Sequence, residues 1–319
     1  MFFSGFFVWE EEIIDLIKKR PAFLTTFIPT SRSVFGSKQR SFKSFFSGAP
    51  RAARRLGNHH VVPLVSRCGL LLVRLDSPDS PDDIVHLVVC NLLARTCHEL
   101  PPLECDWKFS KSGYAILTGV DCSSNATTQP SQACSAFFKV LIIGNDMYHQ
   151  PKNLHSFTSG EKRWRRPSKF PFTAKWMSGS ETLRNPHAVV WRGTAYWLFR
   201  YSSWHTIGMD GQTCHVSVSE IKTLFGHRKI HTYDEAQLTI TTDGELSVFH
   251  MQKRGYQLEE WTRQEDGDAS RWLCAPDVQL KPPRRMNLLI LGEKGGMLLV
   301  KNTQGDVYIV DLDTGGWTR

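Results

Sequence analysis

The sequence lacks an apolar run long enough to cross a membrane, and it lacks a recognisable secretory signal. Residues 1–9 are apolar, but no basic residue precedes them and three glutamates follow at once, so this run is too short and wrongly flanked. Long helical periodicity is missing as well, which argues against an α/β enzyme fold. We therefore expect a protein without a membrane span, located in the cytoplasm or the nucleus.

Paired cysteines are also lacking. The eight cysteines are scattered without a C-x-x-C pair, which indicates free thiols rather than a disulfide framework or a structural zinc site. A zinc site that uses Cys97, His98 and Cys105 stays an alternative. We disfavour it because structural zinc sites rarely lack such a pair. The sequence thus predicts no metal site and no cofactor.

Acidic residues are missing between Asp15 and Asp76, although the same stretch is rich in cations. It carries twelve of them, Lys18, Lys19, Arg20, Arg32, Lys38, Arg40, Lys43, Arg51, Arg54, Arg55, Arg67 and Arg74. The rest of the chain has 27 Lys and Arg (39 minus 12) against 31 acidic residues, a balance of −4. The net charge of +8 therefore comes from a basic N-terminal segment on a mildly acidic body.

This basic segment supports one alternative function. Residues 18–55 combine clustered cations with aromatic side chains, and such a combination can bind nucleic acid or an anionic membrane surface. The aromatic residues are Phe23, Phe27, Phe35, Phe42, Phe45 and Phe46. We prefer to interpret the segment as a solvated loop over strands, because no nucleic-acid-binding motif accompanies it.

Catalytic motifs are equally scarce. The histidines that could bind a metal ion are not spaced along the sequence as metal ligands usually are. Neither a G-x-S-x-G motif nor a paired-carboxylate motif is present. These histidines are His59, His60, His149, His205, His215 and His231. The glycine-rich stretch at residues 292–296 does not fit a phosphate-binding loop and is interpreted as a hairpin turn. The sequence therefore predicts no catalytic or cofactor-binding residue and no enzyme, with a propeller-scaffold enzyme as the alternative.

What the sequence does have is a repeated β-unit. The last unit has apolar strands at residues 288–291, 297–300 and 307–312, separated by Gly-rich or polar turns. Similar units recur upstream, for example before polar turns at residues 91–96 and 158–160, at intervals of roughly 45 to 65 residues. Such repetition of short antiparallel strands predicts an all-β, β-propeller-like fold, which presents loops for binding but does not name a ligand.

Short strands joined by tight turns dominate from His59 onwards. Two hairpin turns, at residues 191–194 and 242–245, place glycine where a positive φ is required. Further strands are predicted at residues 61–65, 70–75, 84–90, 114–120, 137–143, 188–191, 195–199, 214–218, 237–240 and 246–250. Most of these strands have four to seven residues, as expected for an all-β domain.

Six segments follow one another along the chain, at residues 60–73, 89–102, 138–143, 189–198, 243–247 and 307–315. In this order they resemble the associated domain of plant F-box proteins, and most of all its large grass expansion. The resemblance covers about residues 55–319. It implies a kelch-like F-box-associated domain at residues 59–319. Such a domain binds a protein target and is the substrate-recognition part of an F-box subunit of a cullin-type ubiquitin ligase.

Residues 1–58 are predicted to be an irregular basic segment that contributes an edge strand. Residues 1–8 resemble the strand that follows the F-box in the family, and residues 10–19 predict a short helix, but no F-box is recognisable. The resemblance therefore implies that a cullin-ligase adaptor binds only if an F-box is present upstream. If the sheets close radially, residues 2–8 are expected to pair beside residues 307–312.

No residue can be assigned to a partner from the sequence. Insertions in a propeller lie at the ends of its sheets, so we expect the protein target at the longer connections. These connections are residues 76–83, 122–135, 201–213 and 265–270. The identity of the target stays open.

Overall fold

The structure is a computed structural model in which the chain divides into two compact units, Met1–Phe170 and Pro171–Arg319. It describes residues 5–11, 23–29, 40–46, 56, 60–76, 84–104, 112–122, 137–145, 151–169, 182–183, 188–200, 204–221, 235–241, 243–252, 257–266, 269–275, 278–280, 282, 288–294, 296–302, 304, 306–312 and 314–318.

The first unit contains three antiparallel sheets. Sheet 1 consists of β1 (Gly5–Glu11), β2 (Phe23–Pro29) and β3 (Arg40–Ser41), and a 3₁₀ helix (Phe42–Phe46) follows it. Sheet 2 consists of β4 (His60–Arg67), β5 (Leu70–Asp76), β6 (Ile84–Asn91), β7 (Thr96–Glu99) and β8 (Leu103–Glu104). Sheet 3 consists of β9 (Gly113–Thr118), β10 (Phe138–Asn145), β11 (Pro151–Thr158) and β12 (Arg165–Lys169), with one helical turn, α1 (Gly119–Cys122), after β9.

The second unit contains three further antiparallel sheets. Sheet 4 consists of β13 (Thr182–Leu183), β14 (Val189–Trp191), β15 (Thr194–Arg200), β16 (Trp204–Asp210) and β17 (Val216–Ile221). Sheet 5 consists of β18 (Glu235–Ile240), β19 (Leu246–Gln252), β20 (Gln257–Asp266), β21 (Ala269–Cys274) and β22 (Val278–Gln279). Sheet 6 consists of β23 (Leu288–Lys294), β24 (Met297–Asn302), β25 (Val307–Asp311) and β26 (Trp317–Thr318).

Sheets 2 to 6 share one topology. In each, four strands pair antiparallel in chain order, while β8, β14 and β22 add short pairings beside β6, β15 and β20. A four-stranded meander of this kind is the blade of a β-propeller. The predicted fold class, all-β and β-propeller-like, is confirmed. The predicted boundary after residue 58 stays a prediction, because residues 57–59 lie outside the described ranges.

Strand β5 is apolar on both faces because sheet 2 is covered on both faces. Leu70 and Leu72 join a core shared with sheet 3, whereas Leu71 and Val73 join a second core that includes the 3₁₀ helix. The alternation of side chains along a strand accounts for this division. Full burial of each such side chain stabilises the fold by about 1.5–3 kcal/mol.

Strand β19 has the same property in the second unit. Leu246 and Val248 pack in a core shared with sheet 4, while Phe249 and Met251 pack in a core shared with sheet 6. Sheet 5 is therefore the central layer of this unit. A strand that is buried on both faces does not need the alternation of apolar and polar residues that is typical of a strand with one exposed face.

One turn recurs between the third and fourth strands of sheets 2, 4 and 6. It begins with Asn91, Asp210 or Asp311, and the Oδ1 atom of each accepts hydrogen bonds from backbone N–H groups two or three residues later, at 2.6–3.1 Å. Four residues after this acceptor, the backbone has a positive φ of 55° to 69°. The polar turns predicted at residues 91–96 and at the end of the last unit are therefore confirmed, and the Asp210 turn, which the sequence did not predict, has the same physical basis.

Four sequence predictions are corrected by the strand pairing. Residues 201–213 were expected to be a loop, but Trp204–Asp210 is β16, paired with both β15 and β17. The predicted helix at residues 10–19 begins in β1, and its remaining residues from 12 onwards lie outside the described ranges. The strand predicted to end at Val120 ends at Thr118 and turns into α1.

The fourth correction concerns the N-terminal strand. Strand β1 pairs with β2 in a local hairpin, from Gly5 opposite Pro29 to Glu11 opposite Phe23. Strand β25 has β24 and β26 as its neighbours. The predicted pairing of residues 2–8 beside residues 307–312 is therefore wrong. Pairing between consecutive strands requires a shorter chain connection, which favours it.

Gly208 is the position in β16 where a side chain is excluded. It lies directly opposite Tyr196, and an added Cβ would approach Tyr196 Cε1 to 2.6 Å and Ser217 Oγ to 2.8 Å. We expect Gly208→Ala to lower the free energy of unfolding by about 1–3 kcal/mol through overpacking, measured by urea denaturation. The double variant Gly208→Ala/Tyr196→Leu should cost less than the two single changes added together. Simple additivity would contradict the proposed clash.

Within the described part of the chain, no helix has both the length and the apolarity needed to cross a membrane.

A candidate interaction site on sheets 4 and 5

A group of arginine and aromatic side chains lies where sheets 4 and 5 have their short turns. We name it the Arg–aromatic cluster; it consists of Trp191, Arg192, Tyr196, Glu245 and Arg263. Trp191 and Tyr196 are nearly fully buried, at 4% and 5% exposure, and belong to the core between the two sheets. The two arginines lie on top of these buried rings.

The β14–β15 hairpin positions Arg192. Both central residues of this two-residue turn have positive φ, 48° at Arg192 and 76° at Gly193, as a type I′ turn requires. The turn places the Arg192 guanidinium 4.4 Å from the centre of the Trp191 ring. Trp191 is itself held by a 2.8 Å hydrogen bond from its Nε1 to the Gly244 carbonyl. The exposed arginine therefore lies on a fixed aromatic support.

Strand β20 supplies the second arginine. Arg263 follows Trp261 by two residues, so both face sheet 4. Its guanidinium carbon lies 5.0 Å from the Tyr196 ring centre and 5.8 Å from the Trp191 ring centre. Among the described residues no acceptor lies within hydrogen-bonding distance of its buried Nε. Cation–π attraction of about 0.5–2 kcal/mol for each contact holds both arginines near the rings.

An ion pair joins two exposed side chains of the cluster. Arg192 Nη2 lies 3.1 Å from Glu245 Oε1, and the two side chains are 56% and 38% exposed. An exposed ion pair of this kind contributes little to stability. A carboxylate of a ligand can therefore replace Glu245 at Arg192 with little loss of stability.

The opposite end of the same two sheets holds a buried polar pair. His250 and Glu259 face each other across β19 and β20, with 3.2 Å between Nδ1 and Oε2. Trp261 Nε1 donates to the same Oε2 at 3.3 Å, and the Trp204 ring packs against His250 with ring centres 6.3 Å apart. Glu259 is 1% exposed and His250 6%. This pair fixes the packing of the two sheets and is not reachable by a ligand.

The first unit has a buried ion pair at a turn. Asp121 of α1 accepts two hydrogen bonds from Arg67, which lies at the turn between β4 and β5. The bond from Arg67 Nε to Asp121 Oδ2 is 2.8 Å long, and the second comes from Arg67 Nη2. It also accepts from the backbone N–H and the hydroxyl of Thr118, at 2.8 and 2.9 Å. Burial alone would raise the pKa of Asp121, but the contacts with Arg67 and Thr118 outweigh it, and the pKa lies below its ordinary value.

Two of the histidines considered as metal ligands, His205 and His215, lie in different environments. His205 is 1% exposed, and its ring stacks on Phe199 at 5.2 Å, whereas His215 is exposed beside the turn after β16. His60 lies in β4, and His59, His149 and His231 lie outside the described residues. His155, which the sequence did not single out, is buried in sheet 3, and this burial lowers its pKa.

The alternative zinc site is not assembled by the strand that carries two of its residues. Cys97 and His98 are neighbours in β7, so their side chains point to opposite faces. The His98 ring lies 5.3 Å from Phe138, while Cys97 Sγ lies 3.0 Å from Cys90 Sγ. Cys105 lies outside the described residues. Over the described ranges, no group of three or more potential metal-ligating side chains is found.

The alternative function of the basic segment loses part of its aromatic support. Phe42, Phe45 and Phe46 are 1%, 6% and 0% exposed and form the core beneath sheet 2, so they cannot stack on bases. Beyond residues 18–55, Arg67 is paired with Asp121, and Arg74 with Asp76 at 2.6 Å. Most of the cations within residues 18–55 lie outside the described residues.

The predicted binding connections join different pairs of strands within their own sheets. In sheet 2 the connection at residues 77–83 joins the second and third strands, at the end opposite the turns after Arg67 and Asn91. The connection at residues 267–268 joins the third and fourth strands of sheet 5. The sequence missed the Arg–aromatic cluster, although the Trp191–Arg192 turn was predicted. An exposed arginine beside a tryptophan in a hairpin turn was the available signal.

No protein-family model matches the sequence, and no curated protein matches it. Solved structures do resemble the chain. A protein of unknown function from Bacteroides caccae has a TM-score of 0.39 and 14% identity, over 73% of this chain and 68% of that one. The GH93 α-L-arabinofuranosidase of Fusarium graminearum has a TM-score of 0.40 and 10% identity, over 82% and 79%. A post-proline cleaving enzyme from Rickettsia typhi has a TM-score of 0.42 and 9% identity.

The match to the Rickettsia enzyme includes 95% of this chain but only 50% of the length of that enzyme. At these identities and TM-scores the matches assign no activity to this chain. They do correct one prediction. Two of the similar structures are enzymes, so the inference that the chain is not an enzyme, drawn from missing motifs on a propeller-like fold, is wrong as drawn.

Proposed function

We propose that the chain is a protein-interaction module, the target-binding domain of an F-box-type subunit of a cullin ubiquitin ligase. The Arg–aromatic cluster is the observation that carries the interaction part of the proposal. The ligase part is supported by the sequence segments that resemble, in the same order along the chain, the plant F-box-associated domain. Arginine is enriched among the residues that dominate protein interfaces, and Arg192 is the exposed arginine of the cluster, supported by the buried Trp191 ring.

The chemistry of the cluster indicates the chemistry of the partner. Arg192 is exposed but rests on Trp191, so part of the side-chain ordering that binding requires is already in place. The exposed Arg192 guanidinium, which already pairs with the carboxylate of Glu245, favours a partner that presents an Asp or Glu side chain. Arg–carboxylate hydrogen bonds are stronger than neutral ones and have a defined geometry. The proposed target therefore has an acidic segment that contacts Arg192.

A capture experiment tests this proposal. The tagged chain, the Arg192→Glu variant and the Arg95→Glu variant are incubated with plant-cell extract, and retained proteins are identified by mass spectrometry. Arg95 is a matched control because it is also an exposed arginine at a positive-φ turn position, at 55°. A target retained by the wild type and by Arg95→Glu, but lost from Arg192→Glu, is the expected result. Equal retention by all three proteins would overturn the assigned surface.

A second arm of the experiment tests the ligase part separately. A family F-box is fused before Met1, and recovery of the cullin adaptor is scored for the fused and unfused chains. The proposal predicts adaptor recovery with the fusion, together with unchanged retention of the target. Loss of the target on fusion, or a fused chain that recovers the target but no adaptor, would contradict the ligase role.

A further inference from the structure

We propose that Cys90 and Cys97 form a disulfide on oxidation, so that the β6–β7 hairpin carries a redox modification site. The two residues are direct partners across this antiparallel pair, and their Sγ atoms are 3.0 Å apart. Opposite residues of an antiparallel pair have Cα atoms about 4.5 or 5.5 Å apart. Both values fall within the range that a disulfide spans, about 4.4–6.8 Å.

Oxidation requires little movement of the two side chains. A disulfide bond is about 2.05 Å long, so the sulfur atoms must approach each other by about 1 Å. Rotation about the side-chain bonds suffices, since the backbone spacing already fits. The four residues between the strand ends form the ordered turn that begins at Asn91, which keeps the two strands in register.

Shared metal binding lacks further ligands beside the two thiols. A structural zinc ion takes four protein ligands, but His98, the next potential ligand along β7, faces the other side of the sheet. The described residues contain no group of three or more potential metal-ligating side chains. The arrangement therefore fits a dithiol that is ready to be oxidised, not a metal site.

The two thiols differ in environment, which sets the order of the reaction. Cys90 is fully buried, and burial raises the pKa of its thiol, with a further contribution from Cys97. Cys97 lies in β7, the last of the four consecutively paired strands of sheet 2, and is only partly buried. An oxidant therefore reaches Cys97 first, and Cys90 acts as the resolving thiol.

Hydrogen peroxide is the proposed oxidant. The Cys97 thiolate attacks one peroxide oxygen and the O–O bond breaks, which gives a sulfenic acid on Cys97, while the departing hydroxide takes up the proton that the Cys97 thiol released and leaves as water. Cys90 Sγ then attacks Cys97 Sγ, the S–O bond breaks, and the departing hydroxide takes up the Cys90 proton as a second water. Two thiols and one peroxide thus yield one disulfide and two waters.

Peptide mapping of the purified full chain tests the proposal. Arg95 lies between the two cysteines, so trypsin separates them into residues 75–95 and residues 96–108. After peroxide treatment, we expect these two peptides to be linked, with a mass loss of two hydrogen atoms. This pair should exceed any other linked cysteine pair by at least about tenfold. Because residues 96–108 also contain Cys105, fragment ions must place the bond at Cys97.

Variants separate the two steps. Cys97→Ser should abolish the linked product, and Cys90→Ser should instead accumulate a sulfenic acid on Cys97 that dimedone labels. Cys68→Ser is the matched control, because Cys68 is exposed and outside the pair, and it should leave the link unchanged. A wild-type chain that oxidises at Cys68 without forming the Cys90–Cys97 link, or a bond placed at Cys105, would overturn the proposal.

Discussion

Replacing Glu259 by leucine is expected to lower the free energy of unfolding by about 3–5 kcal/mol, because it breaks a buried polar pair by removing one partner. Glu259 is 1% exposed and accepts hydrogen bonds from Trp261 Nε1 and from His250 Nδ1. Leucine is similar in size but accepts no hydrogen bond, so both donors lose this acceptor in a region that excludes water. Urea denaturation monitored by tryptophan fluorescence measures the loss.

The matched control replaces both members of the pair. In the double variant His250→Phe/Glu259→Leu the polar groups are exchanged for apolar groups of comparable volume, and such exchanges are often neutral or stabilising. We expect the double variant to regain more than half of the stability that Glu259→Leu loses. A single variant within about 1 kcal/mol of the wild type would show that the pair does not stabilise the packing of sheets 4 and 5.

Replacing Asp121 by alanine is expected to cost about 2–3 kcal/mol at neutral pH, because Thr118 loses a buried acceptor and Arg67 loses its charged partner. The cost stays below that of a fully buried pair, since the Arg67 side chain is 29% exposed and can be rehydrated. The matched control is Asp76→Ala. Asp76 pairs with Arg74 but is 42% exposed, and its loss should cost less than about 1 kcal/mol.

This contribution of Asp121 depends on pH in a defined direction. The pKa of Asp121 is lowered in the folded protein, whereas an unfolded Asp titrates at about 3.9. The stabilisation is therefore complete above about pH 4 and is lost as the pH falls through the lower, native pKa. Stability curves of the wild type and of Asp121→Ala should converge in acid. Parallel curves down to low pH would contradict the assignment.

The parts of the fold that the sequence predicted are those with local signals. Strands β5 and β6 are mostly apolar, and the turn at residues 191–194 contains the glycine that its backbone requires. The recurring turns at Asn91 and Asp311 were recognised as polar, because their first side chain bonds to its own backbone within three residues. Such interactions need no knowledge of distant residues.

The predictions that failed depend on distant residues. Strand β16 was assigned to a loop because His205, Thr206 and Gly208 interrupt its apolar pattern, yet all of β16 before Asp210 is buried among neighbouring strands. Gly208 is required because Tyr196 lies opposite it. Likewise, Arg192 and Arg263 meet over the Trp191 ring from different sheets. Polar residues at buried positions are explained by partners that a single sequence does not reveal.

The measurement that tests the proposed function most directly is the affinity of the captured target for the wild-type chain, for Arg192→Glu and for Arg95→Glu, by isothermal titration at one fixed salt concentration. Loss of a central charged interface contact costs about 2 kcal/mol or more, so Arg192→Glu should bind at least about thirtyfold more weakly. Arg95→Glu should stay within about twofold. Equal weakening by both variants, or by neither, would contradict the assignment of target binding to the Arg–aromatic cluster.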